Sequence, residues 1–332
     1  MISLSLESSC DETSCAIMED GRKVLSNIVL SQIDIHEKFG GVVPEIASRQ
    51  HVEHISYVVE EALKEANKTL NDLDFISVTY GPGLVGALLV GVNYAKTLAY
   101  ALNIPLVPVH HIEGHIAANY ITHEDLKPPY MTLVVSGGHS HIVYVEDYTK
   151  FKIIAKTRDD AVGEAFDKVA RVLSLTYPGG PKVSKLAEQG EFTYKLPKSK
   201  LDNLDFSFSG IKTAVFNLAN NEKDKFRKAD AARSFEETVT DVLIEHVEQA
   251  MKQENIDKIS ISGGVSANRV LREKILKMAE KNNYKAYIPD LKYCTDNAAM
   301  IGSAGYYNYI AGYRGNIDLN AVANLKLGDH KF

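Results

Sequence analysis

Phe75-Ile76-Ser77-Val78-Thr79-Tyr80-Gly81-Pro82-Gly83-Leu84-Val85-Gly86-Ala87-Leu88-Leu89-Val90-Gly91-Val92-Asn93-Tyr94-Ala95 carries no charge and is long enough to span a bilayer. Its internal punctuation argues otherwise. A short β-type run, 75–80, stops at Gly81-Pro82-Gly83, a strong turn signal. Beyond the break, 84–102 reads as a buried helix that contains Lys96. Strand, turn and helix replace a membrane span, and a strand feeding a helix through glycines is α/β architecture.

The same alternation runs outward in both directions. Upstream, Leu4-Ser5-Leu6-Glu7 and Cys15-Ala16-Ile17-Met18 flank the polar turn 8–14, followed by a helix over 48–66. Downstream come a short strand at 106–109, then Thr132-Leu133-Val134-Val135 and His141-Ile142-Val143-Tyr144-Val145 around Ser136-Gly137-Gly138-His139. Both hairpin-like units end in an acidic step, Glu19-Asp20 and Glu146-Asp147, which suggests two related lobes. A helix at 164–175, a long turn region at 177–212 and an amphipathic helix at 230–253 follow. Val239, Leu243, Val247 and Met251 of that helix recur at helical spacing. A strand at 258–262 then meets Gly263-Gly264 and a helix starting at Ser266 or Ala267.

At 332 residues the chain is too long for one simple core, so two lobes are expected, divided as 1–110 and 111–296. A C-terminal helix over 297–332 packs back on the first, and the second carries most of the metal and nucleotide site. With 45% hydrophobic and 24% charged residues the composition is that of a soluble globular protein. The net charge of −6 argues against a broadly basic nucleic-acid binder. Three cysteines, Cys10, Cys15 and Cys294, make no disulfide framework, and Met1-Ile2-Ser3-Leu4-Ser5-Leu6-Glu7 is no signal peptide, so a cytoplasmic location is expected.

Four glycine turns follow strand-like runs: 81–86, 136–138, 178–181 and 262–264. Glycine lets backbone N–H groups approach an anion closely, and a helix N-terminus adds a favourable dipole. Each turn is individually weak and also reads as ordinary structure. None is a Walker motif, since Gly-x-x-x-x-Gly-Lys-Ser/Thr is absent.

His111 and His115 lie four apart, on one face of a helix, close enough for two imidazoles to share a metal ion. A third ligand must come from elsewhere. Asp296 in Cys294-Thr295-Asp296-Asn297-Ala298 is the best candidate, although it also reads as a helix cap, and Cys294 competes as a soft ligand. Glu113 lies about 200° around an ideal helix from each histidine, so it points away from the metal and a His-Glu-x-x-His protease is excluded. Asp11 and Glu12 occupy the first hairpin turn, where they face phosphate or metal or are simply solvated. Asp159, Asp160, Glu164 and Asp167 collect at a helix start, where most read as dipole-favoured first-turn residues; Asp167 also reads as a ribose contact, and Asn268 as a nucleoside contact or a helix cap. Basic residues gather at Lys195, Lys198, Lys200 and Lys212, at Lys223, Lys225, Arg227 and Lys228, and at Arg269, Arg272 and Lys274. A phosphate-binding surface requires such a local patch.

Taken in order, these blocks resemble the tRNA N6-adenosine threonylcarbamoyltransferase family in its bacterial TsaD form. The matching stretches are Glu7-Ser8-Ser9-Cys10-Asp11-Glu12-Thr13-Ser14, the run 40–51 from Gly40 to His51, the Gly-Pro-Gly run 81–91, and Val109-His110-His111-Ile112-Glu113-Gly114-His115. Further on come Val135-Ser136-Gly137-Gly138-His139, 205–213, Gly263-Gly264-Val265-Ser266-Ala267-Asn268, and Cys294-Thr295-Asp296-Asn297. They cover nearly the whole chain. The resemblance implies an actin/Hsp70/sugar-kinase-like (ASKHA) fold with two related lobes around a nucleotide cleft. It also implies transfer of a threonylcarbamoyl group from threonylcarbamoyl-adenylate to N6 of the adenosine following the anticodon, in tRNAs that read A-starting codons.

By position, the resemblance makes His111, His115 and Asp296 ligands of one divalent metal, iron or zinc. Val134, Val135, Ser136, Gly137, Gly138, Asp167, Gly180 and Asn268 become adenylate contacts, and Asp11 or Glu12 catalytic acids. Ser184 stands where some relatives have an acid on the ribose, and that contact is not carried over. Implied partners are tRNA, an inactive paralogue similar to TsaB and an ATPase similar to TsaE, with no membrane. Two rival readings stay open: a metabolite kinase on the same fold, which leaves the histidines unexplained, and a non-catalytic nucleotide-binding scaffold.

Overall fold

The structure, a computed structural model, describes residues 1–199 and 201–330; Lys200 of the first basic cluster and positions 331–332 lie outside the described residues. Two compact units emerge. The first comprises 1–128, 146–151 and 289–332, and the second 129–145 and 152–288.

The first unit opens with a meander, β1 (Ile2–Glu7), β2 (Glu12–Glu19) and β3 (Lys23–Ser31). Then come α1 (Ile33–Glu37), α2 (Pro44–Glu65), β4 (Phe75–Gly81), α3 (Val85–Leu102), β5 (Leu106–His110) and α4 (His111–Thr122). The sheet order is β3-β2-β1-β4-β5, with β1 antiparallel to β2 and parallel to β4. Every residue of β4 is buried, which is why it reads as an unbroken apolar run rather than an alternation.

The second unit holds β6 (Tyr130–Val135), β7 (Ser140–Asp147), β8 (Lys150–Lys156), α5 (Val162–Val172), α6 (Gly179–Ala187), α7 (Ser209–Glu222), α8 (Lys228–Glu254), β9 (Lys258–Ser262), α9 (Arg269–Asn282) and β10 (Lys285–Tyr287). Its order is β8-β7-β6-β9-β10, the same arrangement as the first sheet strand for strand. The hint of internal symmetry in the two hairpins is therefore a repeated five-stranded topology. Met131, Leu133, Ile142, Ile259 and Ile261 on one sheet face join Phe166, Phe235 and Val239 in its core.

Several expectations shift. The third strands, β3 and β8, are edge strands with few buried positions, so their apolar signal is weak. Residues 177–212 contain α6 and the start of α7; Gly179-Gly180-Pro181 looks like a turn, but proline is tolerated in the first turn of a helix. The C-terminal helix is α10 (Ala298–Ile310), followed by an irregular tail rather than helix to the end. The division at 110/111 and 296/297 moves as well: α4 and residues 289–296 belong to the first unit, because α4 packs along α10. Gly114 makes that approach possible, since a Cβ there would sit 2.6 Å from Ile301 Cδ1.

α10 lies flat on the polar face of the first sheet, where Ser77 Oγ donates to Ser5 Oγ at 2.9 Å and Gly302 and Gly305 leave room for these hydroxyls. Its first amides are held from the sheet: Ala298 N–H donates to Ser14 Oγ (2.8 Å) and Ala299 N–H to Asn27 Oδ1 (3.1 Å). These bonds fix where the residues just before α10 stand. α3 meets the length and hydropathy of a membrane span, yet it buries Ala87, Leu88, Gly91, Val92, Ala95 and Ala99 and packs on α2 and β4.

Candidate metal centre and phosphate loops

α4 starts directly where β5 ends, so His111 and His115 occupy its first turns with ring centroids 4.7 Å apart. Asp296 Oδ1 lies 3.2 Å from His115 Nε2 and 3.6 Å from His111 Nε2. One ligand atom from each of the three falls within 4.8 Å of the others. The cap of α10 is Asn297, whose Oδ1 accepts from Met300 N–H at 3.1 Å. That settles the competing reading of Asp296, whose carboxylate is left to face the histidines.

The donors fit a transition metal. His115 is buried, its Nδ1 has no hydrogen-bond partner, and its Nε2 faces only the Asp296 carboxylate, an arrangement open to a metal between the two. Two imidazoles and one carboxylate form a set suited to zinc or iron. Cys294 is not part of the group; its Sγ donates to Asp290 O at 3.5 Å. Glu113 is also outside it. Both its oxygens are buried, His330 Nε2 is 3.9 Å away, and burial, opposed by the Asn308 side chain, pushes its carboxyl up to about 8.

Three residues behind the histidines were not legible as site residues. Glu7 ends β1 and is 1% exposed; its Oε2 lies 3.1 Å from His111 Nδ1 and accepts from Thr79 Oγ1 at 2.6 Å, while Oε1 accepts from Ser9 N–H at 2.5 Å. Ser9 Oγ also stands 3.1 Å from His111 Nδ1. Burial opposes charge on His111, but Asp296 and Glu7 outweigh it and push the imidazole up to about 9. Burial likewise opposes charge on Glu7, and His111 outweighs it, holding the carboxyl below its usual range. The available signal was a lone carboxylate closing an otherwise buried strand.

Asp11 is buried and Glu12 half-buried in the β1–β2 turn, and Glu12 Oε1 accepts from Ser31 Oγ at 3.2 Å. Burial, then Asp296 and Asp11, push the Glu12 carboxyl well above its usual range. The run 40–51 now has a role: His51 of α2 bonds Cys10 O through Nε2 (3.0 Å) and Thr13 Oγ1 through Nδ1 (2.7 Å), pinning the turn that bears both acids.

The glycine turns divide. The 81–86 turn is structural: a Cβ on Gly81 would collide with Val322 O and one on Gly83 with Ser9 O. The other three lie in the second unit. Val134 and Val135 close β6, and Ser136, Gly137 and Gly138 turn into β7, with open space beside both glycines. Gly263 adopts φ +86°, with its backbone against Val135 O, a position closed to other residues. Gly180 and Gly264 also face open space. Asp167 on α5 accepts from Gly179 N–H at 2.7 Å. Asn268 caps α9 by accepting from Leu271 N–H (2.9 Å), and its Nδ2 donates to Ser184 Oγ (3.0 Å) and Glu236 Oε1 (2.7 Å). Its cap reading is realised in this structure.

Four members of the basic clusters are paired with acids within the fold: Lys198 with Glu245, Arg227 with Asp230, Arg269 with Glu273, and Lys274 with Glu237 and Asp241.

A family model described as TsaD, tRNA N6-adenosine threonylcarbamoyltransferase, matches residues 23–303. The protein named tRNA N6-adenosine threonylcarbamoyltransferase from Clostridium botulinum (strain Hall) is 57% identical over 332 residues, covering 98% of each chain. Its namesake from Clostridium novyi (strain NT) is 56% identical over 333 residues, again 98% of each. Among solved structures, full-length HypF in its phosphate- and nucleotide-bound form is similar with a TM-score of 0.62 at 15% identity, over 93% of this chain and 46% of HypF. The Acidaminococcus fermentans (R)-2-hydroxyglutaryl-CoA dehydratase component A gives 0.55 at 15% identity, over 94% and 98%. At that identity the likeness is one of fold, and the fold is of the actin/Hsp70/sugar-kinase type. With a family model across most of its length and relatives identical at more than half of their positions, this chain belongs to the tRNA N6-adenosine threonylcarbamoyltransferase (TsaD) family.

Proposed function

We propose that this protein transfers the threonylcarbamoyl group from threonylcarbamoyl-adenylate to N6 of the adenosine following the anticodon, in tRNAs that read A-starting codons, releasing AMP. The near full-length identity to relatives bearing that enzymatic name carries the reading. His111, His115 and Asp296 would hold one divalent metal, iron or zinc, and the convergence of their ligand atoms within 4.8 Å supports that assignment. Such a metal would supply Lewis acidity toward the acyl donor.

The protein's own groups do the rest. Backbone amides of 136–138 and 263–264 receive the phosphate of the adenylate and keep it as negative charge develops on departing AMP. Val134, Val135, Asp167, Gly180 and Asn268 position its nucleoside. The N6 lone pair attacks the carbamoyl carbon and a C–N bond forms. The C–O bond to phosphate breaks with its electron pair leaving on AMP, and the N6 proton passes to Asp11 or Glu12. Asn268 must exchange its bond to Ser184 or Glu236 to donate to the nucleoside. The working partners are tRNA, a paralogue similar to TsaB and an ATPase similar to TsaE, in the cytoplasm.

The test is incubation of the purified protein with threonylcarbamoyl-adenylate and unmodified tRNA, with and without both partners, followed by nucleoside mass spectrometry. Threonylcarbamoyladenosine and stoichiometric AMP are expected. Their absence in the complete mixture overturns the proposal, and phosphorylation of a small metabolite from ATP would put a kinase in its place.

A further inference from the structure

We propose that Glu7, anchored by Thr79 and by the Ser9 amide, is a positioning residue that keeps the His111 proton on Nδ1 and so presents Nε2 to the metal. The inference rests on the reading of His111, His115 and Asp296 as metal ligands. A neutral imidazole carries one N–H, and an ionised carboxylate can only accept. The contact between Glu7 Oε2 and His111 Nδ1 at 3.1 Å is therefore a hydrogen bond in the tautomer whose free lone pair is on Nε2, the nitrogen facing Asp296. Outer carboxylates of this kind orient metal-bound histidines and raise their basicity.

The carboxylate cannot swing away. Leu6 pairs with Val78 across the parallel strands β1 and β4, which brings Glu7 beside Thr79, and Thr79 Oγ1 donates to the same oxygen that faces His111. The second oxygen is held by Ser9 N–H. Ser9 Oγ reaches Nδ1 too, but a hydroxyl donates or accepts equally well and so dictates no tautomer. His115 Nε2 faces Asp296 at 3.2 Å, but its Nδ1, the nitrogen equivalent to the one Glu7 holds on His111, has no hydrogen-bond partner. Of the two histidines, His111 is the ligand whose state is prescribed by the fold.

Zinc affinity of the full chain, measured by competition with a chromophoric chelator, tests this with E7Q, T79V and S9A. In E7Q the amide NH₂ can face Nδ1 and favour the wrong tautomer, so zinc binding is expected to weaken roughly 10–100-fold. T79V keeps the carboxylate but loosens it, and should lose roughly 3–10-fold, less than removing the charge; it also serves if E7Q folds poorly. S9A should stay within about twofold. In ¹⁵N–¹H spectra of the zinc-loaded chains, His111 should carry its proton on Nδ1, further downfield in the wild type than in E7Q, a difference that a purely packing role would not produce. Unchanged zinc affinity in both E7Q and T79V, or a proton-free Nδ1, overturns this inference alone. A wild-type chain that binds no zinc overturns it together with the metal reading.

Discussion

Arg22, in the turn between β2 and β3, grips the far end of the helix that carries His111 and His115. Its Nε donates to Tyr307 Oη at 2.7 Å, and Nη1 donates to Tyr120 O (3.2 Å), His123 O (3.0 Å) and Glu124 O (3.2 Å). Nη2 donates to Leu126 O at 3.1 Å and Tyr148 Oη at 3.4 Å. The positive group thus caps the C-terminal carbonyls of α4, where a cation also complements the helix dipole. It is flanked by Tyr120 and by the stacked pair Tyr148–Tyr307, whose centroids are 4.0 Å apart. In Arg22→Ala the carbonyls at the helix end can rehydrate, so the two shortest bonds dominate the loss, at about 1.5–3 kcal/mol each for a charged donor. Release of about 2 kcal/mol of side-chain entropy offsets part of this. The net cost is about 1–4 kcal/mol, which in a chain of 332 residues lowers Tm by roughly 3–4 °C near the middle of that range. Arg22→Lys restores charge but not the planar fork, and should recover less than half of the loss. Thermal unfolding followed by circular dichroism checks both variants. An Arg22→Ala protein melting within about 1 °C of wild type would refute the reasoning.

Replacing His111 or His115 by alanine should abolish metal binding and transfer while leaving the fold, as read by metal analysis, tRNA nucleoside analysis and circular dichroism; a metal-free variant that modifies tRNA at the normal rate would sink the assignment. Asn297→Ala removes the cap of α10 and should cost about 1 kcal/mol of stability in denaturant unfolding; Asn297→Asp, which keeps an acceptor, should cost less. Burial, then Lys156, push His141 down to about 4. Between its ordinary value near 6.5 and about 4, the unfolded chain binds a proton that the folded chain refuses, so stability falls as pH drops through that window and is unaffected above it. His141→Asn should remove that slope, worth on the order of 3 kcal/mol at most, and an identical acid profile in both proteins would show that another group sets it.

Local chemistry was legible in the residues themselves. Strand, glycine turn and helix at 75–102 identified an α/β chain because β-branched runs, Gly-Pro-Gly and helical composition act over a few residues each. The four-residue spacing of His111 and His115 placed both on one face, and the same helix geometry turned Glu113 away before any packing was known. Asp296 remained divided between ligand and cap, and Asn268 between nucleoside contact and cap. Sequence patterns describe a residue's neighbours along the chain, and both choices depend on neighbours in space. Tertiary packing took the cap away from Asp296: glycines of α10 lie on Ser5 and Ser77, Ser14 and Asn27 hold its first amides, and Asn297 takes the cap. It also drew α4 into the first unit along α10, against the division expected at residue 110. Glu7 was hidden for the same reason. Its partners Thr79 and His111 are 72 and 104 residues away, joined to it only by the register of β1 on β4 and the step from β5 into α4. The sequence alone determined which kinds of atoms were available and their local direction, whereas long-range strand register and helix packing decided which of them meet.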